Sequence, residues 1–198
     1  MLAKDWKKDL FTIPNVLSLF RLLLIPVYVV LYLGAKSPED YFLAAAILAV
    51  SCLTDLIDGK VARHFNMISN TGKILDPLAD KATQFALIVC LMIRRQNPVL
   101  FILAALFVAK EAFQGVAGLL ILRKGQILKG ALIAGKISTA VLFVSLIVLV
   151  LIHDISDIAM YMILGVDIVV LLISFISYIR LYYTRSPMIQ SIDESLEQ

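Results

Sequence analysis

Six long apolar runs separated by short polar breaks organise this chain. They cover about 12–33, 41–63, 76–95, 98–122, 132–152 and 157–183, each close to the roughly 20 residues that an α-helix needs to cross a bilayer. The breaks are "GAKSPED", a polar link over 64–75, "RRQNP", the basic "RKGQILKG" and "HDISD", rich in residues that end helices. Ahead of the first run, Leu2, Trp6 and Leu10 recur at four-residue spacing beside Lys4, Lys7 and Lys8, the pattern of a short helix lying at a membrane surface. The first run is long for a cleaved signal peptide, contains Arg21 and ends without an A-x-A site, so it reads as a retained span. The pattern predicts an all-α integral membrane protein of six transmembrane helices with an N-terminal amphipathic interfacial helix. It forms one membrane domain over 1–198, with 1–11 interfacial, 12–183 carrying the spans and 184–198 a cytoplasmic tail.

Composition sharpens this picture. The chain is 61% hydrophobic and 17% charged, well below the roughly one quarter charged of a soluble globular domain. A net charge of +3, with no basic stretch interleaved with aromatics, excludes a nucleic-acid partner. Cys52 and Cys90 lie inside apolar runs, where a small hydrophobe is expected rather than a redox pair. Basic residues collect on one side of the predicted topology, among them Lys7, Lys60, Lys73, Lys124 and Arg185, against Lys36, Arg94 and Arg95 on the other. The positive-inside rule then puts both termini and residues 60–75 in the cytoplasm.

The stretch "DLIDGKVARHFNMISNTGKILDPLADK", residues 55–81, breaks the apolar background with four aspartates and an arginine. On a helix Asp55, Asp58 and Ala62 share one face, and Asp76 and Asp80 share another. Pro77 suits a first helical turn and would leave Asp76 at or near the N-cap. Carboxylates so clustered repel one another unless a cation sits among them. With only oxygen donors in the cluster, a hard cation such as magnesium, manganese or calcium is expected rather than zinc. Magnesium usually keeps phosphate oxygens among its ligands, so a substrate diphosphate fits, and two metals could clamp both oxygens of a phosphoryl displacement. Gly59 and Gly72 leave room for a bulky ligand beside the backbone. A cation channel or carrier is the competing class, but a pore wants carboxylates along a path rather than gathered at one face.

Read as D-x2-D-G-x2-A-R-x8-G-x3-D-x3-D, the stretch resembles the signature of the CDP-alcohol phosphatidyltransferase family at every fixed position. The resemblance implies transfer of a phosphatidyl or related group from a CDP-linked donor, CDP-diacylglycerol, to an alcohol, with release of CMP. It implies that Asp55, Asp58 and Asp76 bind a pair of divalent cations, Mg2+ or Mn2+. Asp80 would touch the second cation and act as general base. Gly59, Ala62 and Arg63 would form the nucleotide site, and Gly72 would leave space for the cytidine. Relatives of this kind are commonly homodimers, embedded among membrane lipids of a bacterial-type plasma membrane.

The acceptor side is read from three further places. "PNVLSLFR" sets Asn15, Ser18 and Arg21 at three-residue spacing on one face, similar to the first-helix motif of phosphatidylglycerophosphate and cardiolipin synthases of the family. Arg21 lies about 15 Å into its span, too deep for simple snorkelling. "GKIST" contributes Lys136 and Thr139, where such proteins hold an acceptor phosphate, and Lys110 and Glu111 lie inside the fourth run. An arginine is usual in place of Lys110, with another downstream that "GLLIL" lacks. Glycerol 3-phosphate is the first acceptor considered, and because this departure counts against it, the headgroup of phosphatidylglycerol is the alternative. Asp167, inside the sixth run, is expected to pair with a neighbouring span or face the cavity. His64 and His153 read as loop residues.

Overall fold

The structure, a computed structural model, describes residues 12–64, 72–123, 133–152 and 154–196, with side chains described except at 13–14, 55–64, 73–74, 120–123 and 183–196. Its helices are α1 Ile13–Gly34, α2 Pro38–His64, α3 Gly72–Arg95, α4 Pro98–Arg123, α5 Ile133–Leu151 and α6 Asp157–Leu196, with no strand among the described residues. The predicted interfacial segment 1–11 lies outside them.

Three boundaries correct the sequence reading. α3 begins at Gly72, a turn before the expected start, so Asp76 is inside the helix and not its N-cap, and Pro77 lies beyond the first turn. α2 includes His64, which is therefore helical rather than in a loop. α6 runs to Leu196, so most of the expected tail is helix. An apolar run marks a bilayer-thick stretch, whereas helical hydrogen bonding continues wherever the backbone tolerates it.

The other ends follow local chemistry. Asn97 accepts from the Val99 amide at 2.9 Å, ahead of Pro98 at the start of α4. Gln96, with φ 48°, takes the left-handed conformation that stops α3. At the start of α2, Asp40 Oδ2 accepts from the Lys36 and Ser37 amides, each at 2.9 Å, while Ser37 Oγ accepts from the Asp40 amide at 3.3 Å, a reciprocal capping box. The two backbone donors hold the Asp40 pKa below its ordinary value. A depressed folded pKa adds stability that is present above the unfolded value, about 3.9, and lost as pH falls through the folded one. Between about pH 5 and pH 3, thermal unfolding in detergent should therefore lose less stability in Asp40→Asn than in the wild type.

Four stretches, Asn15–Gly34, Pro98–Leu119, Ile133–Leu151 and Asp157–Tyr182, are long and apolar enough to cross a membrane. α2 and α3 are not among them: Asp76, Asp80 and Lys81 interrupt α3, and α2 has described side chains only over 38–54. The outward residues are apolar, with Leu23 68% and Val30 71% exposed, as expected of a surface that meets lipid rather than water. Neither Cys52 nor Cys90 forms a disulfide.

The chain divides into two compact units, Met1–Gln96 with Leu149–His153, and Asn97–Val148 with Asp154–Gln198. In the first, α1 packs against both α2 and α3. Its buried face carries Asn15, Ser18, Arg21, Tyr28, Tyr32 and Ala35, the three-and-four spacing of a helix stripe. Ala44, Leu48 and Ser51 of α2 and Ala79, Thr83 and Leu87 of α3 are buried as well, and the small residues among them allow close helix approach. Near the α1–α2 turn, Arg94 donates through Nε to Tyr41 Oη at 2.9 Å and through Nη2 to the Ala35 carbonyl, tying α3 to the turn.

In the second unit α4 packs on α6, with Phe113 edge-on to Phe175 and Tyr182 at 5.6 and 6.0 Å. α5 meets α6 where Gly135 faces the Tyr178 ring: a Cβ at Gly135 would lie 2.9 Å from Cε2. Gly135→Ala should destabilise the protein by about 1–3 kcal/mol through this overlap. A thermal melt should show the loss, and Tyr178→Leu in the same chain should recover part of it.

Candidate active site

The site is built on the first unit. Asn15, Ser18 and Arg21 of α1 are 1%, 2% and 2% exposed, so the face predicted from "PNVLSLFR" is buried as a whole. A buried guanidinium needs anionic partners, because an unpaired one costs several kcal/mol. α3 supplies them. Asp76 and Asp80, one helical turn apart, both point at Arg21: Nη1 donates to Asp80 Oδ1 at 2.6 Å, and Nη2 donates to Asp76 Oδ1. Nη2 also lies 3.5 Å from Ser18 Oγ. The rigid fork of arginine thus bridges two carboxylates, which a lysine point charge could not do with the same geometry.

The exposure of the three groups is unequal. The Arg21 side chain is 3% exposed, whereas those of Asp76 and Asp80 are 47% and 42% exposed. The cation is enclosed against the helices and the carboxylates open outward from α3. Two anions one turn apart would repel, and the guanidinium between them offsets that repulsion.

α2 is helical through positions 55, 58, 59, 62 and 63. The side chains of Asp55, Asp58, Ala62 and Arg63 lie outside the described ones. Gly72 opens α3, one turn before Asp76. Among the described residues no group of three or more acidic, histidine or cysteine side chains forms a metal cluster. The chemistry of Asp76 and Asp80 nevertheless fits a hard cation: both are oxygen donors, both are half open, and together they already hold one cationic group.

In the second unit, Lys110 is 1% exposed and pairs with Glu111, Nζ to Oε1 at 2.7 Å. Gln114, one turn further along α4, has a buried Oε1 without a hydrogen-bond partner. Thr139 Oγ1 donates to the Gly135 carbonyl at 3.0 Å, and Lys136 is exposed. Asp167 of α6 is 1% exposed beside Ser145 of α5, and both of its carboxylate oxygens are buried without a hydrogen-bond partner among the described residues. His153 lies outside the described residues.

Sequence reasoning passed over Thr83 and Gln84 of α3, 9% and 2% exposed. The signal for Gln84 was available: it continues the four-residue spacing of Asp76 and Asp80.

A helical chain with apolar outward faces, and a charged site made by its first and third helices, describes a membrane protein whose polar chemistry sits within its helix packing. The family model described as CDP-alcohol phosphatidyltransferase matches residues 11–179, and the chain belongs to that family. It is 33% identical over 175 residues to the CDP-diacylglycerol–glycerol-3-phosphate 3-phosphatidyltransferase of Aquifex aeolicus, covering 84% of this chain and 93% of that one. It is 39% identical over 103 residues to the cardiolipin synthase (CMP-forming) of Streptomyces coelicolor, covering 51% of this chain and 47% of the relative. To the CDP-diacylglycerol–glycerol-3-phosphate 3-phosphatidyltransferase of Bacillus subtilis it is 37% identical over 94 residues, 42% of this chain and 49% of the relative. The chain thus spans about half the length of the latter two relatives.

Proposed function

We propose that this protein is a CDP-diacylglycerol-dependent phosphatidyltransferase of phospholipid biosynthesis, moving the phosphatidyl group onto an alcohol and releasing CMP. The observation that carries this reading is the convergence of Arg21 with Asp76 and Asp80, the last two residues of the family signature. In the reaction, the acceptor hydroxyl oxygen bonds to the phosphatidyl phosphorus and its proton passes to a carboxylate oxygen of Asp80. The bond from that phosphorus to the oxygen of CMP breaks, and CMP leaves with the electron pair. An alcohol is a weak nucleophile, so a carboxylate within hydrogen-bond reach of its proton supplies the needed activation.

Asp55, Asp58, Asp76 and Asp80 would hold divalent cations, two Mg2+ or Mn2+, in keeping with the general dependence of this family on such ions. When bound, these ions neutralise the diphosphate and stabilise the leaving oxygen. Gly59, Ala62, Arg63 and Gly72 would receive the cytidine nucleotide. Asn15 and Ser18 of the first unit, and separately Lys110, Lys136 and Thr139 of the second, are the residues that the resemblance assigns to the acceptor.

Glycerol 3-phosphate is the acceptor we assign, giving phosphatidylglycerophosphate; the Aquifex relative, matched over most of both chains, bears this name. A second reading, phosphatidylglycerol as acceptor and cardiolipin as product, is favoured by Lys110, which stands where the resemblance calls for arginine. All six helices would span a bacterial-type plasma membrane as one domain, with segment 1–11 on the cytoplasmic surface, both termini and the site on that side, and two copies forming a homodimer.

The test is incubation of the purified protein with CDP-diacylglycerol, Mg2+ and a panel of alcohols, with the lipid product identified by mass. Phosphatidylglycerophosphate formed with glycerol 3-phosphate supports the assignment, and cardiolipin formed with phosphatidylglycerol supports the second reading. Absence of CMP release with every alcohol would sink both.

A further inference from the structure

We infer that Arg21 is a built-in counter-cation that competes with an incoming divalent cation for Asp76 and Asp80, and so sets how tightly the site loads metal. This rests on the proposed reading only in taking that site to bind metal. Three observations carry it. Arg21 is enclosed, its side chain being 3% exposed. Its two terminal nitrogens engage Oδ1 of both carboxylates rather than of one. Those carboxylates are themselves about half open, so an arriving cation meets anions whose charge is already partly neutralised.

The sign follows from electrostatics. A guanidinium and a divalent cation drawn to the same two carboxylates repel each other and satisfy the same anionic charge, so each weakens the binding of the other. Arg21 also holds the carboxylates in place, which favours binding. A full charge a few ångströms away in a partly buried site outweighs the entropy saved by ordering two short side chains. Arg21 therefore acts as a positioning residue for α3 whose cost is a lowered metal affinity. The gain is a site whose first and third helices stay paired when metal is absent.

The experiment compares Mn2+ binding to the detergent-purified, metal-stripped full chain as wild type, Arg21→Gln and Arg21→Lys, by titration and by thermal shift in the absence of any substrate. Arg21→Gln keeps hydrogen-bonding capacity and removes the charge. It should melt lower than wild type in chelator, bind Mn2+ about tenfold more tightly, and show a larger metal-induced rise in Tm. Arg21→Lys should keep an affinity near wild type. If Arg21→Gln fails to fold in chelator, purification in Mn2+ should rescue it, because the metal replaces the missing cation.

Unchanged or weaker Mn2+ binding in Arg21→Gln, or a fold that Mn2+ does not rescue, overturns the inference. The proposed function is judged separately, since turnover enters neither binding measurement. A wild-type protein that binds no Mn2+ would overturn both the metal site and this inference.

Discussion

Asp80→Asn should lower the rate of phosphatidyl transfer by roughly 10²–10⁴-fold, the usual contribution of a positioned general base. The asparagine amide keeps the shape of the side chain, and its oxygen can still accept from Arg21 Nη1, the bond that measures 2.6 Å in the native protein. The α1–α3 contact therefore survives while the proton acceptor is lost. Asp58→Asn is the partner experiment, since it removes a charge assigned to the metals. Its activity should collapse together with apparent metal affinity, and binding of CDP-diacylglycerol should fall further than in Asp80→Asn. Turnover and donor binding must both be measured on each variant. Near-normal turnover in Asp80→Asn would eliminate the base assignment, and equal loss of donor binding in both would leave Asp80 as one more metal ligand.

Removal of divalent cations should abolish CMP release, a loss on the order of 10³-fold or more, since several kcal/mol of charge stabilisation on the diphosphate disappears. Mg2+ or Mn2+ added back should restore it, and Zn2+ should do so poorly, because the donors are carboxylate oxygens without histidine or cysteine. The check is CMP production in chelator, followed by titration of each metal. Undiminished turnover in chelator would remove the metal from the mechanism and leave Arg21 as the principal cation beside Asp76 and Asp80.

The helices were legible because their boundaries coincide with strong local signals. The polar breaks "GAKSPED" and "RRQNP" and the long apolar runs each act over a few residues, and the starts of α2 at Pro38 and α4 at Pro98 fall close to where the pattern puts them. The start of α3 escapes the pattern because Pro77 carries the weight of a helix start in the sequence, while the backbone tolerates it beyond the first turn. The end of α6 escapes it because hydropathy reports bilayer thickness and says little about where helical hydrogen bonding stops.

For the site, the sequence alone determined the residue types, their spacing and the shared faces: Asp76 with Asp80 on one helix, and Asn15, Ser18 and Arg21 on another. Spacing along a helix is local geometry, and carboxylates clustered in an apolar chain require a cation whatever the fold. What the tertiary structure decided is that Arg21 meets Asp76 and Asp80. Arg21 is 55 positions from Asp76 and 59 from Asp80 along the chain, and no periodicity links helices across that distance. Only the packing of α1 against α3 turns the arginine inward, where burial obliges it to find anions, and among the described residues it pairs with the last two aspartates of the signature.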